Sequence, residues 1–352
     1  MVLDLPIIDL GAYDTQGEPI AVAHEACRSL HEYGAVLVRD PRVALEDGST
    51  FIDMMEAYFE GSDGVTDARP ELSYQVGVTP EHIEKPRDHS ALVKELPAAN
   101  SPASAFPPKP DPKWRFFWRV GPRPAKTKYP DLNAAPVIPK GFPQWSKVMD
   151  NWGEKMLGCV HDLSKILAVG FGMEPHSFTS RTHGGPHLLA PTGSNFSKFG
   201  DLGTVLAGFH YDLNFLTIHG KSRYPGLHIW LRDGSKHAVH VPDGCLLVQA
   251  GIQMEYLTNG HVKAGFHEVV VTEDTLSAIE AAKQAGRSLW RVSSTCFVHI
   301  SSDTVLKPLG QFEAAGQQGS TAHDGKYLHV EAGQQVLDEL RAISLSCDRA
   351  AS

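Results

Sequence analysis

Thiols are scarce in this chain of 352 residues. Five cysteines, Cys27, Cys159, Cys245, Cys296 and Cys347, lie far apart, and no CxxC pair occurs. An odd, scattered set excludes a disulfide framework and argues against a thiolate metal site. It suits the reducing cytoplasm, which is the expected location. Long apolar runs are also missing. Nothing approaches the ~18 consecutive apolar residues of a membrane span, so none is expected. Met1-Val2-Leu3-Asp4-Leu5-Pro6 has neither a basic region nor an extended apolar stretch, and a signal peptide is not expected there. Basic excess is absent: 32 Lys and Arg face 41 Asp and Glu, a formal charge of −9. With nothing to neutralise phosphates, a nucleic-acid partner is not expected. The chain holds no P-loop, no GxGxxG, no GxSxG elbow, no internal repeat and no low-complexity segment.

Apolar residues make up 42% of the chain, enough for a substantial core. Leu5–Leu10 reads as a short strand. Residues 18–33 read as a helix, with Ile20, Ala23, Cys27, Leu30 and His31 at helical spacing and Gly34 to end it. Ala35–Arg39 is rich in β-formers, and Phe51–Phe59 is helical again. Residues 61–142 are rich in Pro and charge with little periodicity, the texture of a functional or partner-facing region. The clearest helix runs from about Phe142 to Val169, with Pro143 in its first turn. Trp145, Met149, Trp152, Met156, Val160, Leu163 and Leu167 form one apolar stripe.

After residue 185 short β-rich runs alternate with turn residues. They are Gly203–Phe209, Asn214–His219, Gly226–Leu231, Ala238–Val241, Cys245–Ala250, His267–Thr272 and Arg291–Ile300. A helix interrupts them at 273–288, and Val336, Leu337, Leu340 and Ile343 mark a closing helix. The expected class is mainly β with flanking helices (α+β), a distorted double-stranded β-helix or jelly roll. Residues 1–184 are expected to pack on the barrel, 185–310 to form its core, and 311–352 to close it.

One constellation stands out. His210-Tyr211-Asp212 is followed far downstream by Gly265-Phe266-His267-Glu268-Val269. On a strand, residues i and i+2 share a face, so His210 and Asp212 would point inward and Tyr211 away. His267 would complete a 2-His-1-carboxylate face, a donor set suited to non-haem Fe(II) with open positions opposite. Eighteen histidines make such a pattern easy to meet by chance, so its surroundings decide. Around it lie Leu216-Thr217-Ile218, Gly226-Leu227-His228-Ile229, Val241-Pro242-Asp243-Gly244, Val248-Gln249-Ala250-Gly251, Leu257-Thr258-Asn259-Gly260 and Arg291-Val292-Ser293.

These motifs, with Leu5–Leu10 and His31–Val36 near the start, resemble the isopenicillin-N-synthase-like branch of the Fe(II)/2-oxoglutarate-dependent oxygenases. The resemblance spreads along most of the chain. It implies that His210, Asp212 and His267 are catalytic iron ligands, and that Arg291 and Ser293 hold the distal carboxylate of 2-oxoglutarate. It also implies a small-molecule substrate, consumption of O2, and succinate and CO2 as coproducts of a hydroxylation. A guanidinium fork and a hydroxyl are suited to a carboxylate. The sequence departs from the family where Leu188-Leu189-Ala190-Pro191 stands for an Asn-Tyr-Tyr-Pro segment that helps seat the cosubstrate, and Asn195 or Ser197 is the expected replacement. Three alternatives stay open on sequence: an iron oxidase of the same fold without an oxo acid, an inactive binding protein, and a Zn hydrolase, which lacks a general-base motif. His219, His228, His237, His240 and His261 read as surface or core residues. Trp114–Arg119 reads as packing or as the lining of a substrate entrance. Glu255, Tyr256 and Asn259 read as support for the distal ligand.

Overall fold

A computed structural model describes residues 3–13, 19–315, 327, 329–343 and 345. The N-terminal part carries β1 (Ile7–Asp9), β2 (Ala35–Arg39), β3 (Gly77–Thr79) and β4 (Trp114–Arg119). The rest carries β5 (Leu188–Leu189), β6 (Thr192–Asn195), β7 (Val205–His210), β8 (Leu216–His219), β9 (Leu227–Trp230) and β10 (Lys236–Ala238). Then follow β11 (Cys245–Ala250), β12 (Phe266–Val270), β13 (Trp290–Ser293) and β14 (Thr295–Val298). The main helices are α1 (Pro19–Tyr33), α2 (Leu45–Gly61), α3 (Trp145–Gly170), α4 (Ile252–Leu257), α5 (Glu273–Gln284) and α6 (Ala332–Ala342).

The strands form two sheets. The larger runs β1-β2-β11-β8-β14-β5-β4-β6-β13, with β3 beside β4; the smaller runs β10-β9-β12-β7. Together they make the double-stranded β-helix expected from the sequence. The N-terminal region does more than cover it, because β2 pairs antiparallel with β11 and β4 with β5 and β6.

The long helix α3 begins at Trp145, after Pro143 rather than around it. Its expected stripe is buried in full, from Trp145 to Leu167. Burying each such side chain contributes roughly 1.5–3 kcal/mol, so this face anchors the helix to the large sheet. Trp145 also meets Tyr58 of α2 and Phe116 of β4. Gly34 ends α1 with φ 66°, and its N–H donates to Leu30 O.

Several elements differ from expectation. Arg291–Ile300 is not one strand: it breaks at Ser294, so β13 pairs β6 while β14 pairs β8 and β5. The Ser294 side chain accepts from Trp152 Nε1, and its carbonyl from Gly220 N, which takes residue 294 out of either ladder. The Ala238–Val241 run moves to Lys236–Ala238, because Lys236 is held by Glu268 at 2.7 Å and over the Trp230 ring. Strands β5 and β6 were not expected. The four described cysteines are free and buried, and Cys347 lies outside the described residues. Among the described residues, no helix is long and apolar enough to cross a membrane.

Candidate metal centre and its two cavities

His210 closes β7 and stands directly opposite His267 on β12 in the antiparallel register. Their ring centroids are 4.2 Å apart. Asp212 does not share a strand with His210, as the i, i+2 argument expected, because β7 ends at His210. Two residues later the Asp212 carbonyl accepts from Ile252 N at 2.9 Å, which draws it out of the ladder. Gly251 permits that close approach: a Cβ there would stand 2.1 Å from Asn214 O. Asp212 still reaches both imidazoles, its Oδ1 lying 3.8 Å from His210 Nε2 and 3.9 Å from His267 Nε2. One donor atom from each of the three lies within 4.8 Å of the others. Tyr211 points the other way, against His89 and Phe266.

The atoms behind the cluster fix its orientation. His210 Nδ1 is 2.6 Å from Gly208 O, and His267 Nδ1 is 3.2 Å from Gly265 O. A carbonyl at Nδ1 requires the proton there and leaves the Nε2 lone pair facing the cluster. Thr217 Oγ1 donates to Asp212 Oδ2 at 2.7 Å, which turns Oδ1 inward. Burial, with the nearby His267, Lys113 and Arg115, holds His210 well below its ordinary value, so it stays neutral. Two imidazoles and a carboxyl side chain, with no thiol, fit Fe(II) by donor type.

The edge position of β7 in the small sheet needs support, and residues 103–111 supply it. Ser104 Oγ accepts from Phe209 N, and Asp111 Oδ1 accepts from Gly208 N. The same segment is clamped by Glu268, fully buried, which accepts from Ala103 N, Ser104 N and Lys236. Glu268, next to His267, thus holds the cover over the strand that carries His210. Glu255 accepts from Ala264 N at 2.9 Å and fixes the turn leading to His267. Asn259 belongs to the same turn, with φ 49°.

A cavity of ≈ 270 Å³ opens on one side of the cluster, lined among others by Thr192, Ser194, His219, Arg291, Ser293 and Thr295. Arg291 is buried, no acidic side chain pairs with it among the described residues, and its Nε has no hydrogen-bond partner. Burial alone lowers it to about 10. A buried unpaired cation is costly and favours an incoming anion. Arg291 and Ser293 stand opposite Ser194 and Thr192 across the β13–β6 register. Asn195 and Ser197 are not the expected replacement contacts: Asn195 Oδ1 accepts from Ser197 N and caps a helical turn outside this cavity. The hydroxyls of Thr192 and Ser194 line it instead, with His219. His219 lies 3.2 Å from Thr295 Oγ1 through Nδ1, its Nε2 is unpartnered, and burial lowers it to about 4. It lines the cavity and is not part of the generic core, as its place directly after the β-rich run Phe215–Ile218 could have signalled.

A second cavity of ≈ 70 Å³ adjoins the same His210 and Asp212 and shares Lys113, Arg115 and Phe297 with the first. Its walls come from the segment of little periodicity and from the C-terminal helix, including Glu84, Arg87, Lys113, Arg115, Glu339 and Leu340. The packing reading of Trp114–Arg119 holds for one face of β4, and the other face lines the cavity. Trp114, Phe116 and Trp118 enter the core, whereas Arg115 and Phe117 line the cavity.

A jelly roll that holds a His-Asp-His cluster beside a buried arginine without an acidic partner among the described residues defines a class of β-barrel protein with a candidate metal site. The comparisons narrow this class. Residues 182–300 match the model of the 2OG-Fe(II) oxygenase superfamily. Among curated proteins, it is 27% identical over 138 residues to a flavonol synthase/flavanone 3-hydroxylase of Petunia hybrida, covering 39% of each chain. It is 21% identical over 218 residues to an azadirone synthase of Melia azedarach, covering 58% of each. The chain thus spans 39% to 58% of the length of these curated relatives. In fold it is similar to a 2OG-Fe(II) oxygenase family protein from Caulobacter crescentus, with TM-score 0.71, 20% identity, and coverage of 96% of this chain and 99% of that one. It is also similar to a full-length Neurospora crassa protein in complex with alpha-KG, with TM-score 0.71, 18% identity and 96% coverage of both.

Proposed function

We propose that the protein is an Fe(II)- and 2-oxoglutarate-dependent oxygenase that hydroxylates a small organic molecule in the cytoplasm. One observation carries this reading: three convergent metal-type donors share a cavity with a buried arginine that has no counter-ion among the described residues. His210, Asp212 and His267 would hold the iron. Arg291 and Ser293 would hold the distal carboxylate of 2-oxoglutarate, with Thr192, Ser194 and His219 as further contacts. When bound, Fe(II) with 2-oxoglutarate and O2 supplies the oxidising chemistry, and the oxo acid leaves as succinate and CO2.

The chain's part is placement. Thr217 and the two backbone carbonyls aim the donor atoms, and Arg291 sets the direction of the cosubstrate. The second cavity, built by residues of 1–184 and 311–352 around the 185–310 core, holds a C–H bond beside the cluster and keeps water out. The acidic balance of the chain and the small enclosed cavity favour a small-molecule substrate over nucleic acid.

Anaerobic Fe(II) titration, followed by succinate release under O2, tests the reading. Asp212→Ala is expected to weaken iron binding by about 100-fold or more, beyond the 10–100-fold typical of losing a supporting contact. Unchanged iron affinity in that variant would overturn the assignment, and tight iron binding with no 2-oxoglutarate binding would overturn the cosubstrate.

A further inference from the structure

The second cavity carries more charge than its size suggests. Glu84 Oε1 accepts from Lys113 at 2.9 Å and from Arg115 Nη2 at 3.1 Å. Lys113 also contacts Asp111. All four residues are removed from solvent or nearly so. The Glu84–Arg115 contact is one-pronged where a carboxylate and a guanidinium could form two parallel bonds. As a result Glu84 Oε2 and Arg115 Nε are both buried without a hydrogen-bond partner, on adjoining side chains. The guanidinium is held by Phe117 and Phe297, whose ring centroids lie 5.5 and 5.4 Å from it. Glu84 stays ionised despite its burial, because Arg115 and Lys113 hold it low. It therefore offers only an acceptor, while Arg115 Nε offers only a donor.

Two vacant, opposite hydrogen-bonding positions side by side define what fits. A carboxylate would satisfy Arg115 Nε but meet the free oxygen of Glu84. An ammonium would satisfy Glu84 and meet the guanidinium. The cluster is already balanced, two cations against two carboxylates. We infer that Glu84 and Arg115 are the specificity-determining pair, and that the substrate is a neutral molecule bearing an amide-type edge, an N–H beside a C=O, as in a lactam, imide or ureide. Its N–H donates to Glu84 Oε2, and its carbonyl accepts from Arg115 Nε. Because the cavity is bounded by His210 and Asp212, the rest of the ring faces the metal cluster. This inference rests on the oxygenase reading for that last step alone.

Three five-membered-ring probes separate the possibilities: hydantoin, cyclopentanecarboxylate and cyclopentylammonium. Saturation-transfer NMR on the full chain without metal reads binding to the cavity. Line broadening by the Mn(II)-loaded, 2-oxoglutarate-bound protein reads proximity to the cluster. Hydantoin is expected to bind at least tenfold more tightly than either charged probe and to be broadened by Mn(II). Glu84→Gln keeps an acceptor for Lys113 but replaces Oε2 with a donor. It is expected to weaken hydantoin about tenfold or more and to shift preference toward the carboxylate. Thermal melts check that this variant is folded, and Arg115→Met provides a second loss of hydantoin binding. Equal binding of the three probes, or hydantoin affinity unchanged in both variants, would overturn the inference. If hydantoin binds as expected while Mn(II) and 2-oxoglutarate do not, the pair stands and the oxygenase reading falls.

Discussion

Replacing Arg291 with Met separates two opposite effects of one buried charge. In the ligand-free protein the guanidinium has no counter-ion among the described residues, and burial lowers it from the usual 12.5 to about 10. At about 1.4 kcal/mol per tenfold change in proton affinity, that is a cost on the order of 3 kcal/mol. The group is cationic in both states at neutral pH, so the cost is present in full there and fades only as pH rises through about 10. Methionine fills a similar volume without charge. Arg291→Met is therefore expected to raise the melting temperature of the ligand-free protein, by up to a few degrees. The cosubstrate response moves the other way. Two charge-assisted bonds at roughly 1.5–3 kcal/mol each make 2-oxoglutarate bind about 100-fold or more weakly in the variant. In the wild type, 2-oxoglutarate at about 100 times its Kd adds roughly 2.7 kcal/mol of stability, an increment the variant loses. Thermal unfolding of the Zn(II)-loaded protein with and without 2-oxoglutarate reads both effects. A variant that melts lower, or that keeps the 2-oxoglutarate increment, would refute the reasoning.

Thr217→Val removes the bond that turns Asp212 inward, and is expected to weaken Fe(II) binding by roughly 10–100-fold in anaerobic titration, with the fold intact; unchanged affinity would show that the bond does not orient the ligand. His219→Leu should raise the Kd for 2-oxoglutarate by about tenfold and leave metal binding alone, as calorimetry would show; loss of both would mean a packing role. Acid should destabilise the metal-free protein early. Burial holds His219 at about 4 and His299 at about 3, whereas the unfolded chain takes up these protons near 6.5. Stability from each group is complete above 6.5 and lost as pH falls toward 4, roughly 3 kcal/mol or more per group. Melting temperatures that stay level from about pH 7 to about 4.5 would contradict this.

The sequence revealed the barrel where burial made it rhythmic. The stripe of α3, the runs of β2 and β11 and the closing glycine Gly34 all stand within a few residues of where periodicity puts them. It failed where strands are too short to show a period. Leu188–Leu189 and Thr192–Asn195 hold two and four residues, and the second carries the hydroxyls that face the first cavity. The break at Ser294 was hidden for the opposite reason, since both halves of Arg291–Ile300 are uniformly β-forming. The His210, Asp212 and His267 cluster was legible because these residues fall in motifs of the family that the sequence resembles. The Glu84–Lys113–Arg115 cluster was not, because its residues come from a segment without periodicity. They meet through a backbone bond from Asp111 N to Glu84 O, which no sequence pattern announces.

The two cavities share Lys113, Arg115, His210, Asp212 and Phe297 but otherwise draw on different stretches of chain. The side with Arg291 is made mainly by residues between Thr192 and Phe297, the other largely by residues before Phe117 and after Glu339. Changes in the two remote segments would therefore reshape the second cavity while most of the first, apart from Lys113 and Arg115, stays as it is. For an engineer the same partition is a parts list. A graft of residues 75–102 alone would alter the second cavity and leave in place Ser104 and Asp111, which hold β7, and the core side chains of β4.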